Sequence, residues 1–183
     1  MGTKSLKDDS DDIIPYAFDL FISYAHKEKN WVHSFIKDLR QDLSDQSGRE
    51  IRAYISAPRQ EVLTEREIEK FIFRALEESK VLIVIISSFY AKREWFHREI
   101  AEFIKLSHKK GGWIINNRSR IFMVWRNDIP LEDLPEELRN FVGYRIDASD
   151  PSAIDIADID ELIEYKTILK DLVRDVANSL KQV

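Results

Sequence analysis

The 183-residue chain contains no cysteine, which excludes disulfides, thiolate nucleophiles and thiolate-held zinc together. It has five glycines, Gly2, Gly48, Gly111, Gly112 and Gly143. Their placement makes neither a phosphate-cradling loop nor a Gly-rich dinucleotide fingerprint, so P-loop ATPase and Rossmann readings fall. Long apolar runs are lacking as well. The longest is Val81 to Ile86, against the roughly 20 residues that cross a bilayer as a helix. Nor is there an excess of positive charge: 28 Lys and Arg stand against 33 Asp and Glu, a net charge of −5. The basic residues are scattered, so the footprint that releases counterions from nucleic-acid phosphates is missing.

Present instead are 44% apolar and 33% charged residues, enough for the core of one domain and too short a chain for two large ones. Residues 1–15 read as a polar leader without the basic flank and apolar stretch of a secretory signal. Residues 16–183 read as the domain, and a cytoplasmic location follows by default.

Phe18 to Ser23 (FDLFIS) is rich in bulky, β-favouring residues and predicts a strand. Trp31, Phe35, Leu39 and Leu43 then recur every four residues and predict a helix that ends near Gly48. Ile51 to Ile55 is a second short strand. Thr64 with Glu67 has the form of a capping box opening a helix that buries Ile68, Ile72, Ala75 and Leu76. The unbroken run from Val81 predicts a central strand covered on both faces. A helix bearing Trp95, Ile100, Phe103, Ile104 and Leu106 follows, broken near its end by Gly111 and Gly112. Arg120 to Trp125 and Tyr144 to Ile146 supply the last two strands. Ile159 to Leu180 closes the chain with an amphipathic helix whose apolar residues include Leu162, Ile163, Ile168, Leu169, Leu172, Val173 and Val176.

Alternating strands and helices imply a five-stranded parallel sheet in a three-layer α/β domain with right-handed crossovers. Ligands of such sheets bind beyond the carboxyl ends of the strands, at a topological switch point. That directs attention to Tyr24 to Lys27, Ser56 to Gln60, Ser87 to Tyr90 and Arg126 to Asp128.

Histidine and acidic clusters say little. His26, His33, His97 and His108 include no pair spaced four apart beside a Glu, and each reads as a surface residue. Asp147, Asp150, Asp155, Asp158, Asp160 and Glu161 lack the glycine and spacing of a calcium loop. They read as a solvated loop and the acidic start of the last helix, and no metal is expected. Arg93 to Ile100 (REWFHREI) carries more. Trp95 and Glu99 are one helical turn apart on one face, with Phe96, Ile100, Phe103 and Ile104 on the neighbouring apolar face. That places the pair at the rim of the crevice, although spacing alone also fits a packing Trp and a solvated Glu.

FDLFISYAHKE from Phe18 resembles the first box of TIR (Toll/interleukin-1 receptor) domains, and VLIVIISSFYAKREWFHREI from Val81 resembles the segment where TIR enzymes carry Trp-x-x-x-Glu. Box, central strand and motif occur in order, and the resemblance runs from Tyr16 to the final helix. It implies a flavodoxin-like TIR fold. From TIR domains that cleave NAD⁺ it implies a catalytic role for Glu99 and a pocket role for Trp95. Substrate contacts would come from Tyr24, Ala25, His26 and Lys27, with Ser87 at the end of the third strand. Ser56 to Leu63 falls where the BB loop of these domains touches a neighbouring subunit.

The departures are specific. The BB-loop segment has no Gly, Ala25 stands where the animal enzyme has a basic residue, and Phe96 replaces a frequent Cys. A phosphate contact would therefore pass to His26, Lys27 or Arg59. The implied partners are NAD⁺ as substrate with no separate cofactor, homotypic TIR assembly, and a sensor on another domain or chain; neither nucleic acid nor membrane is implied. A non-enzymatic TIR adaptor is the alternative. A flavodoxin-like receiver fits poorly, because the acidic cluster at the end of its first strand is missing.

A lone carboxylate suits this substrate. Glycosidases acting on neutral sugars use two carboxyl groups because the leaving oxygen must be protonated. Nicotinamide leaves from a cationic pyridinium and becomes neutral without a proton, so one carboxylate that supports positive charge at the anomeric carbon suffices.

Overall fold

A computed structural model describes residues 16–56, 64–141, 143–146 and 159–183. The polar leader, Arg59 with the rest of 57–63, and the carboxylates from Asp147 to Asp158 lie outside the described residues. Strands β1 (Phe18–Ser23), β2 (Ala53–Ile55), β3 (Ser79–Ile86), β6 (Ile121–Trp125) and β7 (Tyr144–Arg145) form one sheet in the order β2-β1-β3-β6-β7. Every pairing in it is parallel. The expected five-stranded parallel sheet is present, and it is flanked by helices α1 (Lys29–Ser47), α2 (Glu65–Glu77), α3 (Glu94–Ser107) and α4 (Ile159–Leu180).

Side-chain alternation divides the core. Leu20, Ile22, Val81, Ile83 and Ile85 pack with α1 and α4, while Phe21, Leu82, Val84 and Ile86 pack with α2 and α3. β3 is buried on both faces because it lies in the middle of the sheet, which is why its sequence does not alternate. α1 ends at Gly48, whose φ of +68° is a left-handed conformation that costs glycine little. α2 opens with the predicted capping box: Glu67 N donates to Thr64 Oγ1, and Thr64 N donates to Glu67 Oε2 at 2.9 Å.

Three details differ from the sequence expectation. Ile163, counted among the apolar residues of the amphipathic last helix, is 58% exposed, whereas Tyr165 is buried and donates to Asp38 Oδ2 at 3.0 Å. The stripe is shifted because Tyr165 bridges α4 to α1 through a polar tip that an apolar count ignores. A two-stranded hairpin, β4 (Ile114–Ile115) and β5 (Arg118–Ser119), was not foreseen. Its strands are too short to show alternation, but Asn116 and Asn117, both at positive φ, are the residues such a turn selects. Arg120, expected in a strand, instead lies 1% exposed just before β6 and donates to the carbonyls of Lys80, Gly112 and Ser79. Those three acceptors replace the water a guanidinium loses on burial.

β1 also carries a buried carboxylate paired with a surface arginine. Asp19 is fully buried and is held by both terminal nitrogens of Arg49, each at 2.8 Å, and by the amide of Arg52 at 3.0 Å. Burial pushes its carboxyl up, but these donors and cations hold it below its ordinary value. The pair ties the chain entering β2 to β1 before the two strands reach the site.

Candidate functional site

The carboxyl ends of β1 and β3 and the N-terminal turns of α2 and α3 enclose a cleft of about 700 Å³. Tyr24, Ala25 and His26 line it from the segment after β1, Ser56 from the end of β2, Tyr90 from the turn after β3, and Trp95 from α3. The sequence directed attention to this end of the sheet, and the cleft brings together Tyr24, Ala25, His26 and Trp95. It does not include Lys27 or Ser87. The Lys27 ammonium stands 3.7 Å from the centre of the Phe89 ring, which itself faces the cleft. The Ser87 hydroxyl turns away to Glu28 and accepts from Tyr90 N at 3.3 Å. Glu28 is pushed up by burial, opposed by Ser87, Arg126 and Lys27.

Glu99 is not at the rim where the sequence placed it. It is fully buried beneath the cleft, because one helical turn below Trp95 the face of α3 meets β1 rather than solvent. Its two oxygens are engaged by side chains from three other segments. Ser23 Oγ and Tyr90 Oη lie within hydrogen-bond distance of Oε2, at 2.6 and 2.7 Å. Ser56 donates to Oε1 at 2.9 Å. Burial, the largest influence on it, pushes the Glu99 carboxyl above its ordinary value. The Tyr90 phenol is pushed up too, by burial first and then by Glu99.

Sequence reasoning did not single out Ser23 and Tyr90 as partners of Glu99. The signal for Ser23 was its parity: it lies on the opposite face of β1 from Ile22, on the side that α3 covers. Tyr90 lies in a turn, and no periodicity points a turn residue.

The walls are aromatic and charged. Trp95 stacks on Phe73 of α2 with centroids 6.2 Å apart and planes 12° apart. The Arg98 guanidinium lies 5.1 Å from the Trp95 ring centre and pairs with Glu69. Arg93, the residue that begins α3, sits 4.2 Å from the Phe89 ring centre. The lining joins aromatic rings to charges of both signs, Arg93 and Arg98 against Glu65, Glu69 and Glu94, and its size and rings suit a ligand with planar groups. Among the described residues no group of three or more His, Asp or Glu side chains is placed to hold a metal, and no helix is long and apolar enough to cross a membrane.

Comparison with known proteins gives a consistent result. A family model described as the TIR domain matches residues 20–163. Protein toll of Drosophila melanogaster is 28% identical over 126 residues, which is 68% of this chain and 10% of that protein. The chain therefore spans about a tenth of the length of that relative. The TIR domain of the Toll-related receptor TRR-2 from Hydra magnipapillata superposes with a TM-score of 0.53 at 16% identity, covering 87% of this chain and 98% of that one. A TIR-STING receptor from C. gigas, solved in complex with 2',3'-cGAMP, gives 0.51 at 17% identity, covering 89% of this chain and 40% of that one. At such identities these two structures speak to the fold alone.

Proposed function

The chain belongs to the TIR domain family, and from that premise we propose that it cleaves the nicotinamide–ribose bond of NAD⁺, as a glycohydrolase or ADP-ribosyl cyclase of immune defence in the cytoplasm. One observation carries the reading: a buried glutamate, one turn below a cleft-facing Trp, is held by three side-chain hydroxyls from three other segments. A helix residue with only a packing role has no need of a carboxylate there, and burying one is costly.

In this reading the nicotinamide riboside end enters beside Trp95, and a ribose hydroxyl takes the place of the Ser56 hydroxyl against Glu99 Oε1. The carboxylate then lies next to the anomeric carbon as positive charge develops, and the aromatic walls exclude the water that would screen it. Nicotinamide departs neutral. Water attacking the ribosyl cation gives ADP-ribose, and an adenine nitrogen or ribose hydroxyl of the same molecule gives a cyclic product. The diphosphate would be met by His26, which lines the cleft, or by Lys27 or Arg59. Self-assembly through Ser56 to Leu63 would activate the domain, in response to a sensor on another domain or chain.

The test is nicotinamide release from NAD⁺ by concentrated protein, with Glu99→Gln as the control. Release by wild type alone supports the assignment, and equal release by both refutes it. A second reading is a docking module without enzymatic activity. The complete burial of Glu99 favours it, since a carboxylate that pins β1, β2 and α3 together is also a structural tie. No nicotinamide release even at densities where the protein binds another TIR domain would decide for docking.

A further inference from the structure

Ser23 Oγ, Tyr90 Oη and Glu99 Oε2 form a closed triangle of contacts at 2.6, 2.7 and 2.8 Å. Each contact at such a distance is a hydrogen bond only if a proton lies along it. With Glu99 ionised, the two hydroxyls bring two protons to three contacts. Both are then spent on the carboxylate, and the 2.8 Å Ser23–Tyr90 contact sets lone pair against lone pair. Water cannot relieve it, because Ser23 and Glu99 are fully buried and Tyr90 is 5% exposed. A third proton, on the carboxyl, completes a ring in which every oxygen donates once and accepts once.

The surroundings do not supply a charge that would keep the carboxylate ionised. β1 and β2 present only the hydroxyls of Ser23 and Ser56 to it, and the turn after β3 presents the Tyr90 phenol. The charged and titratable groups above, around the cleft, are Tyr24 and His26 after β1, Glu65 and Glu69 from α2, and Arg93, Glu94 and Arg98 from α3. Arg98 is paired with Glu69, and among the described residues no Lys, Arg or His forms an ion pair with Glu99.

We infer that Glu99 carries a proton in the unliganded protein, held in a three-oxygen ring with Ser23 and Tyr90, and that entry of a substrate's pyridinium cation drives this proton off to solvent. The second half rests on the NAD⁺ reading and the first does not. On dissociation the electron pair stays on Oε2, the proton passes to buffer, and Ser23 and Tyr90 both donate to the new carboxylate. A pyridinium in the cleft favours that charged form through Coulomb attraction, most strongly where water is absent. Ser23 and Tyr90 are thus positioning residues that keep the carboxyl neutral until a positive charge is present to justify ionising it.

Infrared difference spectra of ¹³C-glutamate-labelled wild type against Glu99→Gln test the resting state without turnover. A carboxylic-acid carbonyl band at neutral pH, assigned by its loss in the variant, is expected; carboxylate bands alone overturn the proposal. Tyr90→Phe gives a sign test. Without the phenol the neutral form loses two hydrogen bonds, while the ionised form loses one bond together with the lone-pair contact. The midpoint of the acid band therefore moves to lower pH. If Tyr90 were a plain donor to a carboxylate, its removal would move the midpoint to higher pH and overturn the ring. Ser23→Ala breaks the ring from the other side and shifts the midpoint the same way. The substrate half is read with a non-cleavable carbocyclic analogue of NAD⁺, by calorimetry in buffers of different ionisation enthalpy. Release of close to one proton per bound analogue, with none for its reduced, uncharged form, is expected. Binding without proton release overturns the coupling, and no nicotinamide release from NAD⁺ in the separate assay would instead strike the NAD⁺ reading.

Discussion

Ser56 stands between the cleft and Glu99: it lines the cleft, and its hydroxyl donates to Glu99 Oε1 at 2.9 Å, while the carboxyl below has no exposed surface. In the NAD⁺ reading, a ribose hydroxyl reaches Oε1 by replacing the Ser56 hydroxyl.

It follows that Ser56→Ala is far milder than Glu99→Gln. Alanine removes one donor and opens room for water or a ribose hydroxyl to replace it, so kcat/KM for NAD⁺ falls by less than about tenfold, in line with ~1 kcal/mol for one hydrogen bond. Steady-state kinetics of the two variants side by side check this. A loss as complete as that of Glu99→Gln would make the Ser56 hydroxyl part of the chemistry rather than a removable cover.

Trp95 contributes a wall and an indole N–H whose influence favours the charged form of Glu99, and Trp95→Phe separates them. Phenylalanine keeps a ring against Phe73 and under Arg98 but has no N–H to offer. Losing that influence raises the Glu99 pKa and moves the acidic limb of the kcat/KM profile to higher pH. A lowered plateau with no movement of that limb would mean that Trp95 serves as wall alone.

Asp19 and Arg49 predict the acid stability of the domain. The folded-state pKa of Asp19 is depressed despite its burial. Its contribution is therefore fully present above the ordinary Asp range and is lost as pH falls through the lowered folded value. Asp19→Asn should cost about 1 to 3 kcal/mol at neutral pH and flatten the fall in stability below about pH 4. Urea denaturation as a function of pH measures both effects. An unchanged acid limb would assign acid sensitivity to other carboxylates.

Ile163 and Tyr165 test the orientation of α4. Ile163→Ser on the exposed face should change stability by no more than about 0.5 kcal/mol. Tyr165→Phe loses the bond to Asp38 and should cost about 1 kcal/mol. Thermal unfolding of both variants distinguishes this from the opposite order, which the apolar pattern of the sequence implied.

That reversal shows where the sequence was legible. The succession of strands and helices along the chain, the doubly covered run Val81 to Ile86 and the Thr64 capping box follow from periodicity and local chemistry, which act within a few residues. The Trp95 and Glu99 pair was visible as one turn of one helix. How deep Glu99 lies was not, because depth depends on how α3 sits on β1, a relation between segments far apart in the chain. The partners of Glu99 were hidden for the same reason: Ser23, Ser56 and Tyr90 are separated from it by 76, 43 and 9 positions. Ile163 misled because a hydrophobic count gives Tyr165 too little weight.

The scattered origin of those donors has a consequence for the cell. Ser23 comes from β1, Ser56 from the end of β2, Tyr90 from the turn after β3 and Glu99 itself from α3, so no fragment smaller than the packed sheet and helix can assemble the carboxyl site. A nascent, nicked or partly melted copy retains the Trp-x-x-x-Glu sequence but loses the donors and the dry surroundings that give it chemical meaning. If the intact domain consumes a coenzyme on which the cell depends, damaged copies fail safe.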